Sequence, residues 1–112
     1  MKVSEMLEAL RAGGFTDWVT PEKTNGFLVG GACPAIVRES VHEVTKSDII
    51  NLIVRADDIA DAIGGWIDEE DGKAYLDGNT WIADLGTALE VAQDRGELAI
   101  WDIEGGKSIY VP

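Results

Sequence analysis

Histidine and cysteine each occur once in the chain, as His42 and Cys33. Transition-metal sites need clusters of these ligands, so no zinc centre is expected, and a lone cysteine cannot form an internal disulfide. No family signature surrounds Cys33 or His42 that would make them a nucleophile and its base. The chain also lacks the Gly-x-Ser-x-Gly elbow, the phosphate-cradling glycine-lysine loop and the dinucleotide fingerprint. No cofactor is implied, and enzymatic activity is not expected. No apolar run approaches the ~20 residues that a membrane helix requires. Positive charge is scarce as well, with nine Lys and Arg against 21 Asp and Glu, for a net charge of −12. A field of that sign repels nucleic acid and anionic lipid and speeds encounters with basic protein surfaces.

The remaining composition is that of an ordinary globular protein, 46% hydrophobic and 27% charged, which argues against disorder. At 112 residues one core is feasible, and no linker or low-complexity run divides the chain, so residues 1–112 are expected to form a single domain. The start, Met1-Lys2-Val3-Ser4-Glu5-Met6, lacks the basic-then-apolar order of a secretory signal and points to the cytoplasm. The acids are unevenly spread. Residues 1–45 hold six acids and four bases, whereas residues 46–112 hold fifteen acids and five bases, a net of −10.

Periodicity predicts an α+β fold, with two to three helices packed on a mainly antiparallel sheet built from hairpins. Ser4 can cap a helix over residues 5–12, where Met6, Leu7 and Leu10 recur at helical spacing. Residues 15–26 read as irregular chain with at most one short strand. Phe27-Leu28-Val29-Gly30-Gly31 and Ala35-Ile36-Val37-Arg38 look extended, either as a pair or as one interrupted strand around Cys33-Pro34. A helix over residues 48–63 follows from the stripe Ile49, Ile53, Ala56, Ala60 and Ile63, with Thr45 or Ser47 as its cap and Gly64-Gly65 as its stop. Trp66-Ile67-Asp68 and Lys73-Ala74-Tyr75-Leu76 read as a β-hairpin with an acidic tip. A helix over residues 84–95, capped by Asp84 and ended by Gly96, precedes a strand over 98–103 and a closing strand over 108–111. The two hairpins share a tryptophan and a tyrosine nine residues apart, Trp66 with Tyr75 and Trp101 with Tyr110, as a degenerate repeat would.

On the predicted long helix, Asp57, Asp58 and Asp61 fall at spacings of three and four and would share one turn of surface. The hairpin tip adds Asp68, Glu69, Glu70 and Asp71. Its glycine, Gly72, would put Ile67 at the first ligand position of a calcium loop, so the EF-hand pattern fails there. Trp81, between the hairpin and the third helix, is a candidate anchor for a protein partner, with Asp77, Asp84 and Glu90 close in sequence.

The stretch from Gly65-Trp66-Ile67-Asp68 through Tyr75-Leu76-Asp77 to Gly96-Glu97-Leu98-Ala99-Ile100-Trp101-Asp102-Ile103 resembles small, uncharacterised acidic proteins of actinobacteria and their phages. The resemblance covers roughly the last 50 residues and implies an α+β domain of mobile-element origin, with no activity and no site residues. A looser likeness links Gly64-Gly65-Trp66-Ile67-Asp68 and Ala99-Ile100-Trp101-Asp102-Ile103-Glu104-Gly105 to antirestriction proteins that mimic DNA. Those modules are acidic and place a helix directly after the first strand, whereas a hairpin strand intervenes here. With the charge, this leads to the expectation of a non-enzymatic interaction module that meets a basic protein surface through Asp57, Asp58, Asp61, Asp68, Glu69, Glu70, Asp71 and Trp81, as an inhibitor of a nucleic-acid-handling protein. The alternative is an accessory or structural domain of a phage or prophage with no charge-based recognition.

Overall fold

A computed structural model describes residues 1–112 as three helices and seven strands. In chain order these are α1 (Val3–Arg11), β1 (Gly14–Trp18), β2 (Phe27–Val29), β3 (Ile36–Arg38), a single 3₁₀ turn at Val41–Glu43, α2 (Lys46–Ala56), β4 (Ala62–Ile67), β5 (Ala74–Ile82), α3 (Leu85–Arg95), β6 (Ala99–Asp102) and β7 (Lys107–Tyr110). Every strand pairing is antiparallel, and the strands follow the order β1-β4-β5-β2-β6-β7, with β3 also on β5. This is the α+β architecture that the periodicity predicts. No helix is long and apolar enough to cross a membrane.

The long strand β5 organises the sheet. Its first six residues pair with β4, while its other edge takes β3 at Ala74–Leu76 and β2 at Thr80–Ile82. β2 and β3 are therefore one interrupted strand rather than a pair. Residues 30–35 leave the ladder between them, returning one bond from the Ala32 N–H to the Gly78 carbonyl at 3.0 Å. Pro34, which has no N–H to donate, sits in that excursion.

All three helices cover the same side of the sheet. Met6, Leu7 and Leu10 of α1 and Ile49, Leu52 and Ala56 of α2 close a core over Ile63 and Leu76. A smaller core joins Ala88 and Ala92 of α3 to Val29 and Ile100. Gly65 permits the close approach of the first layer, since a Cβ there would lie 2.7 Å from Phe15 Cε1 and 3.1 Å from Leu10 Cδ1. Asp48, at the start of α2, is almost fully buried, and its Oδ1 accepts a bond from Arg38 Nη2 at 2.7 Å. That bond ties α2 to β3.

Several boundaries differ from the periodic reading. Lys2, not Ser4, is the N-cap of α1, and its backbone N–H donates to Glu5 Oε1 at 2.9 Å. Thr45 does cap α2, accepting from the Asp48 N–H, but the helix stops at Ala56 rather than 63. Asp58 follows in the left-handed region at φ 62°, and the chain enters β4 at Ala62. The apolar residues after 59 fit alternation as well as helical spacing. Inserting this segment as β4 pairs the facing edges of β1 and β5, whose N–H and C=O groups a longer helix would leave without partners. Gly64 and Gly65 thus lie inside a strand and do not end a helix. The hairpin repeat does not hold in register either. Trp66 pairs with Tyr75, whereas Trp101 pairs with Ser108 and Tyr110 with Ala99.

Candidate functional site: a carboxyl and indole cavity on the open face

Because side chains alternate along a strand and directly paired residues point the same way, the register assigns each position to one face. Ala74, Leu76 and Gly78 of β5 face the helices. Tyr75, Asp77, Asn79 and Trp81 therefore face the opposite side. Cross-strand pairing extends that second face through Gly64, Trp66, Thr16 and Trp18 on one flank and through Leu28, Trp101, Ser108 and Tyr110 on the other. All four tryptophans and both tyrosines fall on the side that no helix covers.

This side is hollow. Thr16 of β1 and Ser108 of β7, at opposite ends of the strand order, line one cavity of about 490 Å³. In a flat sheet the five intervening spacings would separate them by roughly 24 Å, so the sheet curls and the open face is its concave side. Asp77 rises from the floor, and Glu97, in the segment after α3, reaches in from the wall. A Cβ built on Gly30 would lie 3.2 Å from the Glu97 carboxyl carbon and 3.3 Å from that of Asp77. The two carboxyl carbons are therefore at most about 6.5 Å apart. Gly30 leaves open the space into which Glu97 Oε1 fits, since a side chain there would collide with that atom.

The electrostatics of the pair follow from this placement. Asp77 is 8% exposed. Burial pushes its carboxyl up from the ordinary range, against the single bond that its Oδ2 accepts from Trp66 Nε1 at 3.3 Å. Burial and the neighbouring Asp77 charge together push Glu97 up to about 7, with Arg95 partly opposing. The Arg95 guanidinium lies at the edge of the cavity without an ion pair to Glu97, donating from Nη1 to the Gly30 carbonyl at 3.0 Å and to Thr80 Oγ1 at 3.1 Å. No lysine, arginine or histidine lines the cavity. Trp66 stacks on Tyr75 with ring centroids 5.0 Å apart, which fixes one indole of the wall, and Trp101 is 41% exposed at the rim.

The carboxylates singled out from the sequence are placed differently. Asp57, Asp58 and Asp61 do not share a helical turn, because α2 has ended before them. Asp61 is a structural brace, its Oδ2 accepting from the Trp81 backbone N–H at 2.8 Å. Trp81 is strand rather than connection and is half-buried. Its Nε1 donates to the Asn25 carbonyl at 2.8 Å, and Lys23 Nζ lies 4.9 Å from its ring centroid, so a cation of the chain itself already occupies that face. At the hairpin tip, Glu69, Glu70 and Asp71 are exposed, whereas Asp68 is buried and accepts from the Glu70 N–H, bracing the turn. The tip and the Asp57–Asp61 segment sit at opposite ends of β4, about 17 Å apart along the strand. The structure joins Asp61 to Trp81 and separates both from the tip.

Asp77, Glu97, Trp66 and Trp101 form the more concentrated site, and the sequence points to it only in part. The alternation Tyr75, Asp77, Asn79, Trp81 marks a polar and aromatic strand face once β5 is extended past residue 76. For Glu97 no local signal exists, since it reaches the cavity only through the turn that follows α3. No protein-family model, curated protein or solved structure matches the chain.

Proposed function

We propose that this domain is a non-enzymatic, acidic interaction module that receives a positively charged group of a basic protein partner in the cavity of its concave face. The observation that carries the reading is the convergence of Asp77 and Glu97, with the indoles of Trp66 and Trp101, on one hollow free of basic side chains. Two carboxyls held this close under partial burial repel each other, and a cation between them removes the repulsion. The exposed indole of Trp101 adds attraction for the same charge. The net charge of −12 steers a basic surface toward the molecule at long range. A partner whose basic surface otherwise contacts phosphate, such as a nucleic-acid-handling protein that this domain would inhibit, fits both features.

The test compares a basic peptide with an acidic one by titration calorimetry at low salt. Binding of the basic peptide is expected to weaken by about tenfold or more in an Asp77→Asn, Glu97→Gln double variant whose circular dichroism is unchanged, and to weaken as salt rises. Charge reversal at Glu69 and Glu70 is expected to have the smaller effect. A double variant that binds like the parent, alongside a tip variant that does not bind, would remove the cavity from the reading.

A second reading rests on a separate observation. The outer side of α2 and the turn after it expose Ile50, Val54 and Ile59, with Val54 68% and Ile59 60% accessible. An accessory domain without charge-based recognition would dock through such a patch. Val54→Lys would abolish association in that case and leave binding at the cavity intact.

A further inference from the structure

Resting on the reading of the concave face as a cation site, we propose that the group it takes is the guanidinium of an arginine side chain presented by the partner, in preference to a lysine ammonium. Three features of the cavity separate the two cations. The carboxyls come from different elements, Asp77 from β5 on the floor and Glu97 from the segment after α3 on the wall, with their carbons within about 6.5 Å. At that spacing either cation can touch both carboxyls, but a planar guanidinium brings five donors in a fixed fork where an ammonium brings three, so it fills more of the acceptor positions.

The acceptors are also available in number. Asp77 Oδ1 has no partner in the chain, since its one bond from Trp66 goes to Oδ2, and the Glu97 carboxylate receives no hydrogen bond at all. Asn79, which also lines the cavity, donates from Nδ2 to the Asp77 carbonyl at 3.4 Å, and its amide oxygen receives no bond from the chain. The third feature is the indole of Trp101 at the rim, 41% exposed and free of the stacking that covers one face of Trp66. Guanidinium stacks on such a ring and sheds its weakly held water more readily than an ammonium does. The volume of about 490 Å³ accommodates a long side chain entering from solvent.

The experiment titrates Nα-acetyl-arginine amide, Nα-acetyl-lysine amide and the neutral isostere Nα-acetyl-citrulline amide into the full chain at low salt, with an arginine-free polylysine peptide run in parallel. The arginine probe is expected to bind at least about tenfold more tightly than the lysine probe, with no detectable citrulline binding. The indole N–H resonances of Trp66 and Trp101 should shift, while that of Trp81, committed to Asn25, stays in place. Glu97→Gln should weaken the arginine probe by about tenfold or more. Gly30→Ala should do the same by displacing the carboxylate, and, because the clash is with the far end of a flexible side chain, without unfolding the protein. Equal affinity for arginine and lysine, or binding of citrulline, overturns the proposal. If polylysine binds and the arginine probe does not, the arginine inference fails while the broader cation reading stands. If neither binds, both fail.

Discussion

Glu97 is the residue whose ionisation the fold resists most visibly. Its ordinary value of 4.5 is pushed up to about 7, so the folded protein holds a proton that the unfolded chain has already released. Stability is therefore highest below the ordinary value and declines as pH rises through the interval to about 7. Asp77, also raised, acts in the same sense. Asp48 acts in the opposite one. Burial disfavours its charge, but the Thr45 backbone N–H and the Arg38 guanidinium together hold it below its ordinary value, so its contribution is lost on acidification. Urea midpoints are thus expected to fall between pH 5 and pH 8, and Glu97→Gln should flatten that slope. A steeper slope in the variant would contradict the assignment. Cation binding has the converse linkage, because a guanidinium between Asp77 and Glu97 favours the ionised pair. Calorimetry near pH 6.5 in buffers of different ionisation enthalpy should register protons released on binding, with Arg95 as the one nearby cation that tempers the effect.

At the scale of elements, helix ends decide how much could be read in advance. Asp84 caps α3 as expected, accepting from the Thr87 N–H at 2.8 Å, and Gly96 closes the helix in the left-handed region. Asp84→Ala is expected to lower the midpoint of chemical denaturation, since the Thr87 N–H then loses its acceptor. The end of α2 was not legible, because Ala60 and Ile63 continue the helical stripe while Ala60, Ala62 and Gly64 alternate with Asp61 and Ile63 as a strand would, over too short a window to decide. What decides between them is non-local, namely two strand partners from residues 14–18 and 74–79. Asp58 carries the conformational cost of the turn, at φ 62°. Asp58→Val should lower stability by about 1–2 kcal/mol, while Asp58→Gly should preserve or raise it. Extending the helix to 63 also gathered Asp57, Asp58 and Asp61 into a surface they do not form, and halting β5 at Leu76 hid the strand face that holds Asp77. The hairpins, α3 and the closing strands were legible because each carries its own turn glycine or cap.

Across the whole molecule, charge is abundant and poorly compensated. Ion pairs join the N-terminal ammonium to Asp17, Arg38 to Asp48, and Lys73 to Glu39 at 3.9 Å. Repulsion among the remaining carboxylates opposes the compact state, and salt screens it. The melting temperature is accordingly expected to rise as sodium chloride is increased from about 10 mM to about 300 mM, a direction that a fold held by surface ion pairs would reverse. The same charge has a further role that follows from where the aromatic rings lie. A curled sheet with every indole and phenol on its uncovered side offers a sticky surface to other copies of itself, and mutual repulsion at neutral pH opposes their association. Acidification toward the isoelectric point near 4.2 removes that barrier. Turbidity should then grow with protein concentration, and Trp101→Lys, at the exposed lip, should suppress it.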